Sequence, residues 1–100
     1  MSYGNAQLVH GAQNWLGPVQ GTSPGFFTVR DWEFSAGGPF DEEDLRAGAR
    51  KAVLGATIVE RLFLGEDPVG RTVRIRNVPF VVVGVLMPKF IIQFFEEGRD

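Results

Sequence analysis

The sequence predicts an α+β fold, with a small mixed β-sheet and short helices in a single domain, and three observations carry that prediction. Residues 80–86 form a near-continuous apolar run, the pattern of a central strand buried on both faces. Within residues 56–64, Ile58, Val59, Leu62 and Phe63 recur at helical spacing while Glu60 and Arg61 fall outside the stripe, which predicts one short amphipathic helix. The other apolar segments are short, unequal and punctuated by Gly and Pro, which favours a mixed sheet with short helices over a doubly wound parallel one.

Residues 1–22 alternate loosely, and two short strands are expected at residues 6–11 and 18–21 with a Gly/Asn-rich bend between them. Ser23-Pro24 is a helix start, because Ser accepts a bond from an orphan amide and Pro suits the first helical position. The helix it opens covers residues 24–30, and the alternation around Trp32 and Phe34 predicts a short strand after it. Asp41 caps a second short helix whose first turn holds Glu42, Glu43 and Asp44, where the helix dipole favours negative charge. Gly48 ends it. Ala52-Val53-Leu54 is too short for a helix and reads as a buried strand. After the helix at 56–64, Gly65 is the expected C-terminal cap, supplying positive φ at no steric cost.

Asp67-Pro68-Val69-Gly70 has the chemistry of a turn, so Gly65, Asp67, Pro68 and Gly70 are expected to join the helix to the strands that follow. Residues 72–77 alternate polar and apolar and predict a half-exposed strand, which Asn77 turns into the strand at 80–86. Gly84 inside that strand marks a bulge or a close backbone approach. Residues 90–95 suit either an amphipathic turn or a strand.

Composition narrows the function. One hundred residues with 44% hydrophobic content build one modest core. Twelve acidic residues against ten basic leave a net charge of −2, with no basic face to neutralise phosphates, so no nucleic-acid partner is expected. The lack of cysteine excludes disulfides, thiolate catalysis and cysteine zinc sites. No signal peptide is read at the start, and the apolar window at residues 78–95 is interrupted by Pro79, Pro88, Lys89 and Gln93, so the chain is expected to be soluble and to be a piece excised from something larger.

No group stands out for chemistry. Asp41, Glu42, Glu43 and Asp44 are consecutive at a helix start and point in different directions, so capping accounts for them better than a metal site. His10 is the only histidine and has no nucleophile elbow to serve. The spacing from Gly65 to Gly70-Arg71-Thr72 echoes a phosphate loop, but it follows a helix and opens a strand, the reverse of the real motif. Arg74 and Arg76 lie two apart and are read as sharing a strand face, suited to an acidic partner or phosphate head groups; a solvated face is the simpler alternative. Trp15, Phe26, Phe27, Trp32, Phe34 and Phe40 give the first half an aromatic bias beyond what short helices hide, so Trp15, Phe26, Phe27 and Trp32 join Arg74 and Arg76 as candidate interaction residues.

Several blocks occur in a telling order: Tyr3-Gly4-Asn5; Val19, Gly21-Thr22, Pro24, Phe26-Phe27 and Val29-Arg30; Phe40 with Glu43-Asp44; and Ala52-Val53-Leu54-Gly55. They continue through Leu62-Phe63, Gly65, Asp67-Pro68-Val69-Gly70-Arg71 and Val73-Arg74-Ile75 to Pro79-Phe80, Val82 and Gly84-Val85-Leu86. In this order they resemble the later part of the MacB-like periplasmic core domain of ABC transporter permeases in the FtsX-like superfamily, over about residues 3–89. The chain departs from that pattern at Gly37-Gly38-Pro39, where the family often has Gly-Arg, and from Phe90 onward.

The resemblance implies a domain displayed outside the inner membrane between the first two transmembrane helices of a permease. It implies a second permease subunit, a separate cytoplasmic ATPase, and a membrane-fusion protein or other periplasmic partner. It offers no catalytic residue to carry over and places ATP binding in another polypeptide or domain; no metal or cofactor is expected here. The expected function is therefore non-catalytic: transmission of conformational change and contact with a periplasmic partner or substrate. The alternative is a stand-alone small module that binds carbohydrate or peptide through its aromatic first half.

Overall fold

The computed structural model describes residues 2–22, 33–87 and 93–96. In chain order these form β1 (Ser2–His10), β2 (Gln13–Thr22), β3 (Phe34–Gly37), α1 (Glu42–Arg46), β4 (Lys51–Gly55), α2 (Ala56–Phe63), β5 (Thr72–Ile75), β6 (Val78–Leu86) and β7 (Gln93–Glu96). The expected helix at 24–30 lies outside the described residues. The first two strands are longer than their local alternation suggests, because β1 and β2 pair antiparallel along their whole length, from Ser2 opposite Gly21 to His10 opposite Gln13. Gly11, expected in a strand, instead takes positive φ (58°) in the turn between them.

The mixed sheet runs β3-β6-β4-β7-β2-β1-β5, and β5 pairs again with β6. That last pairing curls six of the strands into a closed ring, leaving β3 as an outer flap on β6. Closure removes the exposed edges that an open sheet of this size presents. The pairs β4–β6 and β2–β7 are parallel and the others antiparallel. A parallel neighbour needs a crossover. Between β4 and β6 it consists of α2 and β5.

Helix α2 buries Ile58, Leu62 and Phe63. They meet Ala6, Leu8, Val19, Ala52, Leu54, Val73, Ile75, Phe80 and Val82 from the strands, with Trp15, Val59 and Val78 packed at the margin. The helix thus fills the ring with the apolar stripe its sequence spacing marked out. Residues Ala52, Val53, Leu54 and Gly55 are all buried, so β4 is covered on both faces.

Helix α1 is closed at both ends by its own sequence. The Asp44 amide donates to Asp41 Oδ1 at 3.0 Å and the Asp41 amide donates to Asp44 Oδ2 at 3.0 Å, a reciprocal cap. At the other end Gly48 has φ 69° and the Ala49 amide donates to Asp44 O at 3.0 Å, a Schellman closure.

Two features of β6 shape everything around it. Ala52 faces Val82 but Val53 faces Gly84, so Val83 is an extra residue and the strand carries a bulge. The Val83 carbonyl accepts the Gly38 amide at 3.1 Å, and a Cβ on Gly84 would run into the Gly38 carbonyl oxygen. Glycine at 84 is thus what lets the chain after β3 lie against β6. The second feature is the hairpin from β5. Arg76 (φ 54°) and Asn77 (φ 66°) form its two-residue loop, and both are left-handed, as a type I′ turn requires. Arg76 was expected inside a strand; β5 stops at Ile75 because the hairpin register, Ile75 opposite Val78, leaves only two residues to turn the chain.

Candidate functional site

The segment from α2 to β5 is held at nearly every step. Leu64 follows the helix in the left-handed region (φ 52°, ψ 42°), with its amide still bonded to Glu60 O at 3.1 Å. The left-handed step therefore comes one residue before the expected Gly65, and Gly65 adds a second positive φ of 91°. Leu64 is 68% exposed, so its side chain gains little from burial in return for that backbone.

Asp67 Oδ1 then accepts the Val69 amide at 3.1 Å, an Asx turn. Pro68 is buried, and its carbonyl accepts the Arg71 amide at 3.0 Å across a turn in which Gly70 supplies φ 91°. The Gly70 amide donates to Val82 O, and the Val82 amide donates to Arg71 O, both at 2.8 Å, so the turn is laced onto β6. Arg71 closes the loop: Nε donates to Asp67 O at 3.2 Å, and the guanidinium stands 3.7 Å from Glu66 in a half-exposed pair that adds little on its own.

A second feature lies at the seam between β1 and β5. Their ladder consists of Leu8 opposite Ile75 and Val9 opposite Arg74, after which the strands part. The opening is a cleft of about 290 Å³ lined by Val9, His10, Gly11, Thr72 and Arg74. His10 Nδ1 lies 3.0 Å from Thr72 O and bridges the parted strands. A carbonyl only accepts, so Nδ1 carries the proton. The imidazole also lies on the Phe63 ring, with centroids 4.1 Å apart and planes 30° from parallel. Arg74 is exposed, and among the described residues its guanidinium has no hydrogen bond or ion pair.

The other candidate residues separate. Arg76 does not share a strand face with Arg74: its amide donates to Gln7 O at 3.3 Å, and its guanidinium reaches toward Gly4, with Nη2 3.7 Å from where a Gly4 Cβ would stand. Trp15 packs at the margin of the core, its ring filling the space above Gly17. Phe26, Phe27 and Trp32 lie outside the described residues. The sequence reading treated His10 and Arg74 as unrelated, and no local signal joins them; only the long-range pairing of β1 with β5 does. Among the described residues no three His, Cys, Asp or Glu side chains cluster to hold a metal ion. No helix among them is long and apolar enough to cross a membrane.

Comparison with known proteins places this architecture. The family profile of the MacB-like periplasmic core domain matches residues 1–99. The macrolide export ATP-binding/permease protein MacB of Syntrophobacter fumaroxidans is 46% identical over 84 residues, which is 83% of this chain and 12% of that protein. The MacB of Rhodospirillum rubrum is 45% identical over 83 residues, 82% of this chain and 13% of its own length. The pyoverdine export ATP-binding/permease protein PvdT of Pseudomonas aeruginosa is 38% identical over 71 residues, 71% of this chain and 11% of that protein. The chain thus spans a small fraction of the curated relatives it matches.

Among solved structures, the extracellular domain of the ABC-type transporter YknZ from Gram-positive bacteria superposes with a TM-score of 0.85 at 20% identity, covering 95% of this chain and 51% of that one. The periplasmic region of MacB from Actinobacillus actinomycetemcomitans gives a TM-score of 0.80 at 23% identity, covering 95% and 45%. These two likenesses show the shared α+β fold; the profile and the relatives show the lineage. The chain belongs to the MacB-like periplasmic core domain family and is an extracytoplasmic domain of an ABC transporter permease.

Proposed function

We propose that this chain is a single non-catalytic unit, residues 1–100, which carries conformational change between the membrane part of its permease and a partner outside the membrane. The observation that carries the reading is the lacing of the turn at Asp67, Pro68 and Gly70 onto β6, through the Gly70 amide to Val82 O and the Val82 amide to Arg71 O, both at 2.8 Å. A helix whose exit is bonded to a buried strand moves with that strand. Small displacements then pass through the unit whole, because close-packed interiors have low compressibility.

The partners in this reading are the transmembrane segments of the permease, a second permease subunit, a separate cytoplasmic ATPase, and a membrane-fusion protein or other periplasmic partner. Trp15, Phe26, Phe27, Trp32, Arg74 and Arg76 are the proposed contact residues. The cargo class follows the relatives named for macrolide and pyoverdine export, and the unit itself takes no cofactor. A stand-alone carbohydrate or peptide module has less support, since Trp15 sits against the core.

The chain has no cysteine, so once any cysteine elsewhere in the permease is replaced, labels attach only at the introduced sites. In the full-length reconstituted permease, spin labels at Glu60→Cys on α2 and Pro79→Cys on β6 report the internal distance, and the Glu60→Cys label alone reports the distance between the two subunits. The expected result is an internal distance that stays fixed between nucleotide-free and ATP-bound states while the inter-subunit distance changes. An internal distance that changes while the subunits stay put overturns the proposal.

A further inference from the structure

We infer that the parted β1–β5 seam is a recognition site for a carboxylate or phosphate oxyanion, with Arg74 as its anchor. The inference stands on the cleft itself and is independent of how the permease moves. The two strands could continue their ladder past Val9 and Arg74, since both carry backbone groups there; instead they separate, and a side-chain contact from His10 to Thr72 O at 3.0 Å spans the gap. That contact and the Phe63 ring against the imidazole tie His10 across the opening. A cleft kept open by its own side chains is preorganised, and preorganisation is what lets a small polar ligand bind without first ordering its site.

Charge decides the class of ligand. The lining residues Val9, His10, Gly11, Thr72 and Arg74 include no acidic side chain. Arg74 presents a guanidinium without a partner among the described residues; Arg46 and Arg71 are paired with glutamates, and Arg74 is the arginine among the residues lining this cleft. A guanidinium binds a carboxylate or phosphate through two parallel N–H donors, a stronger contact than a neutral hydrogen bond. With the Nδ1 proton donated to Thr72 O, Nε2 of the neutral His10 ring is an acceptor and offers an oxyanion no hydrogen bond, so Arg74 alone anchors the ligand. The volume of about 290 Å³ suits a single acidic group with a short stem rather than a large organic molecule. Two sources share this chemistry: a free small anion, and an acidic side chain presented by a protein.

The test is a titration of the isotopically labelled chain followed by amide chemical shifts, with acetate, inorganic phosphate and a glutamate-rich peptide as separate probes and sodium chloride as the ionic-strength control. Saturable shifts of the Val9, His10, Gly11, Thr72 and Arg74 amides are expected with the anions and not with chloride. Arg74→Ala weakens binding by about tenfold or more, the scale of a lost charged hydrogen bond, whereas Arg61→Ala at an exposed position of α2 leaves it unchanged. Arg74→Lys keeps part of the affinity, since it restores the charge without the fork. Arg74 is exposed and unpaired, so these variants are expected to keep the parent thermal midpoint. Tighter binding of the peptide than of acetate or phosphate assigns the site to a protein partner, and the reverse order assigns it to a free anion. Absence of saturable shifts at these amides, or an unchanged titration in Arg74→Ala, overturns the inference.

Discussion

Replacing Gly84 by alanine tests the packing of β3 on β6 more sharply than any core truncation. The new Cβ would meet the Gly38 carbonyl oxygen head-on and stand 2.9 Å from Phe34 Cε2. The ring edge can swing aside, but a backbone oxygen cannot. Relief requires the segment from Phe34 to Gly38 to lift off the strand. That movement stretches the Gly38 amide to Val83 O bond at 3.1 Å and the Ser35 Oγ to Val85 O bond at 3.3 Å. Overpacking of this kind costs about 1–3 kcal/mol, and each weakened bond about 1 kcal/mol. Alanine recovers roughly 0.5–1 kcal/mol of strand entropy relative to glycine. The net expectation is a loss of about 2–4 kcal/mol, a large share of the roughly 5–15 kcal/mol available to a domain of this size.

The control is Gly48→Ala, at a position with φ 69° and nothing within 4 Å of the added methyl, where the loss is conformational alone. That cost is about 1–2 kcal/mol. Urea unfolding of the three proteins, read at the midpoint with the slope held equal, compares them directly. Heat unfolding gives the same order, at about 4–8 °C per kcal/mol for a chain this short. If Gly84→Ala loses less than Gly48→Ala, then β3 does not seat on the bulge as described.

Leu64→Asn is expected to raise stability by about 0.5–1 kcal/mol, because asparagine tolerates the left-handed region and the leucine is already 68% exposed; a midpoint that falls in thermal unfolding shows instead that the leucine side chain holds a contact. Asp41→Ala removes the acceptor of the Asp44 amide and is expected to cost about 1 kcal/mol. Circular dichroism through urea unfolding checks it, and a change below about 0.3 kcal/mol contradicts the reciprocal cap.

How much of this was legible in the residues depended on the range of the interaction. The stripe of Ile58, Val59, Leu62 and Phe63 found α2, and the apolar run found β6, because each signal sits within one element. Gly84 announced a bulge or a close approach, since glycine within a strand has little other use, and β6 has both, the bulge at Val83 and the close approach at Gly84. The turn at Asp67, Pro68 and Gly70 was readable for the same reason. Arg76 was misplaced because alternation continues straight through the hairpin loop, and neither Arg76 nor Asn77 is the glycine that usually flags a left-handed pair. Gly65 drew the cap away from Leu64 by the same logic in reverse. The closure of the sheet and the cleft beside Arg74 were invisible, since both arise from pairing β1 with β5 across most of the chain. Composition suggested an aromatic surface but not where each ring lies; the ring of Trp15 occupies the space left by the missing side chain of Gly17.

The place of β7 has a kinetic consequence. It slots between β2 and β4, pairing Val19 with Gln93 and Val53 with Phe94, so the ring has a gap until the last described strand arrives. Loop-closure entropy must be met before that contact returns any energy, which makes the step slow relative to the β1–β2 hairpin. Early in folding, the hairpin and the β4 to β6 unit can each form from contacts closer in sequence, while the flanks of the vacant slot stand as two open edges. Those edges are the stretch most prone to pairing with a neighbouring chain, so crowding during refolding would select for mispairing there before anywhere else.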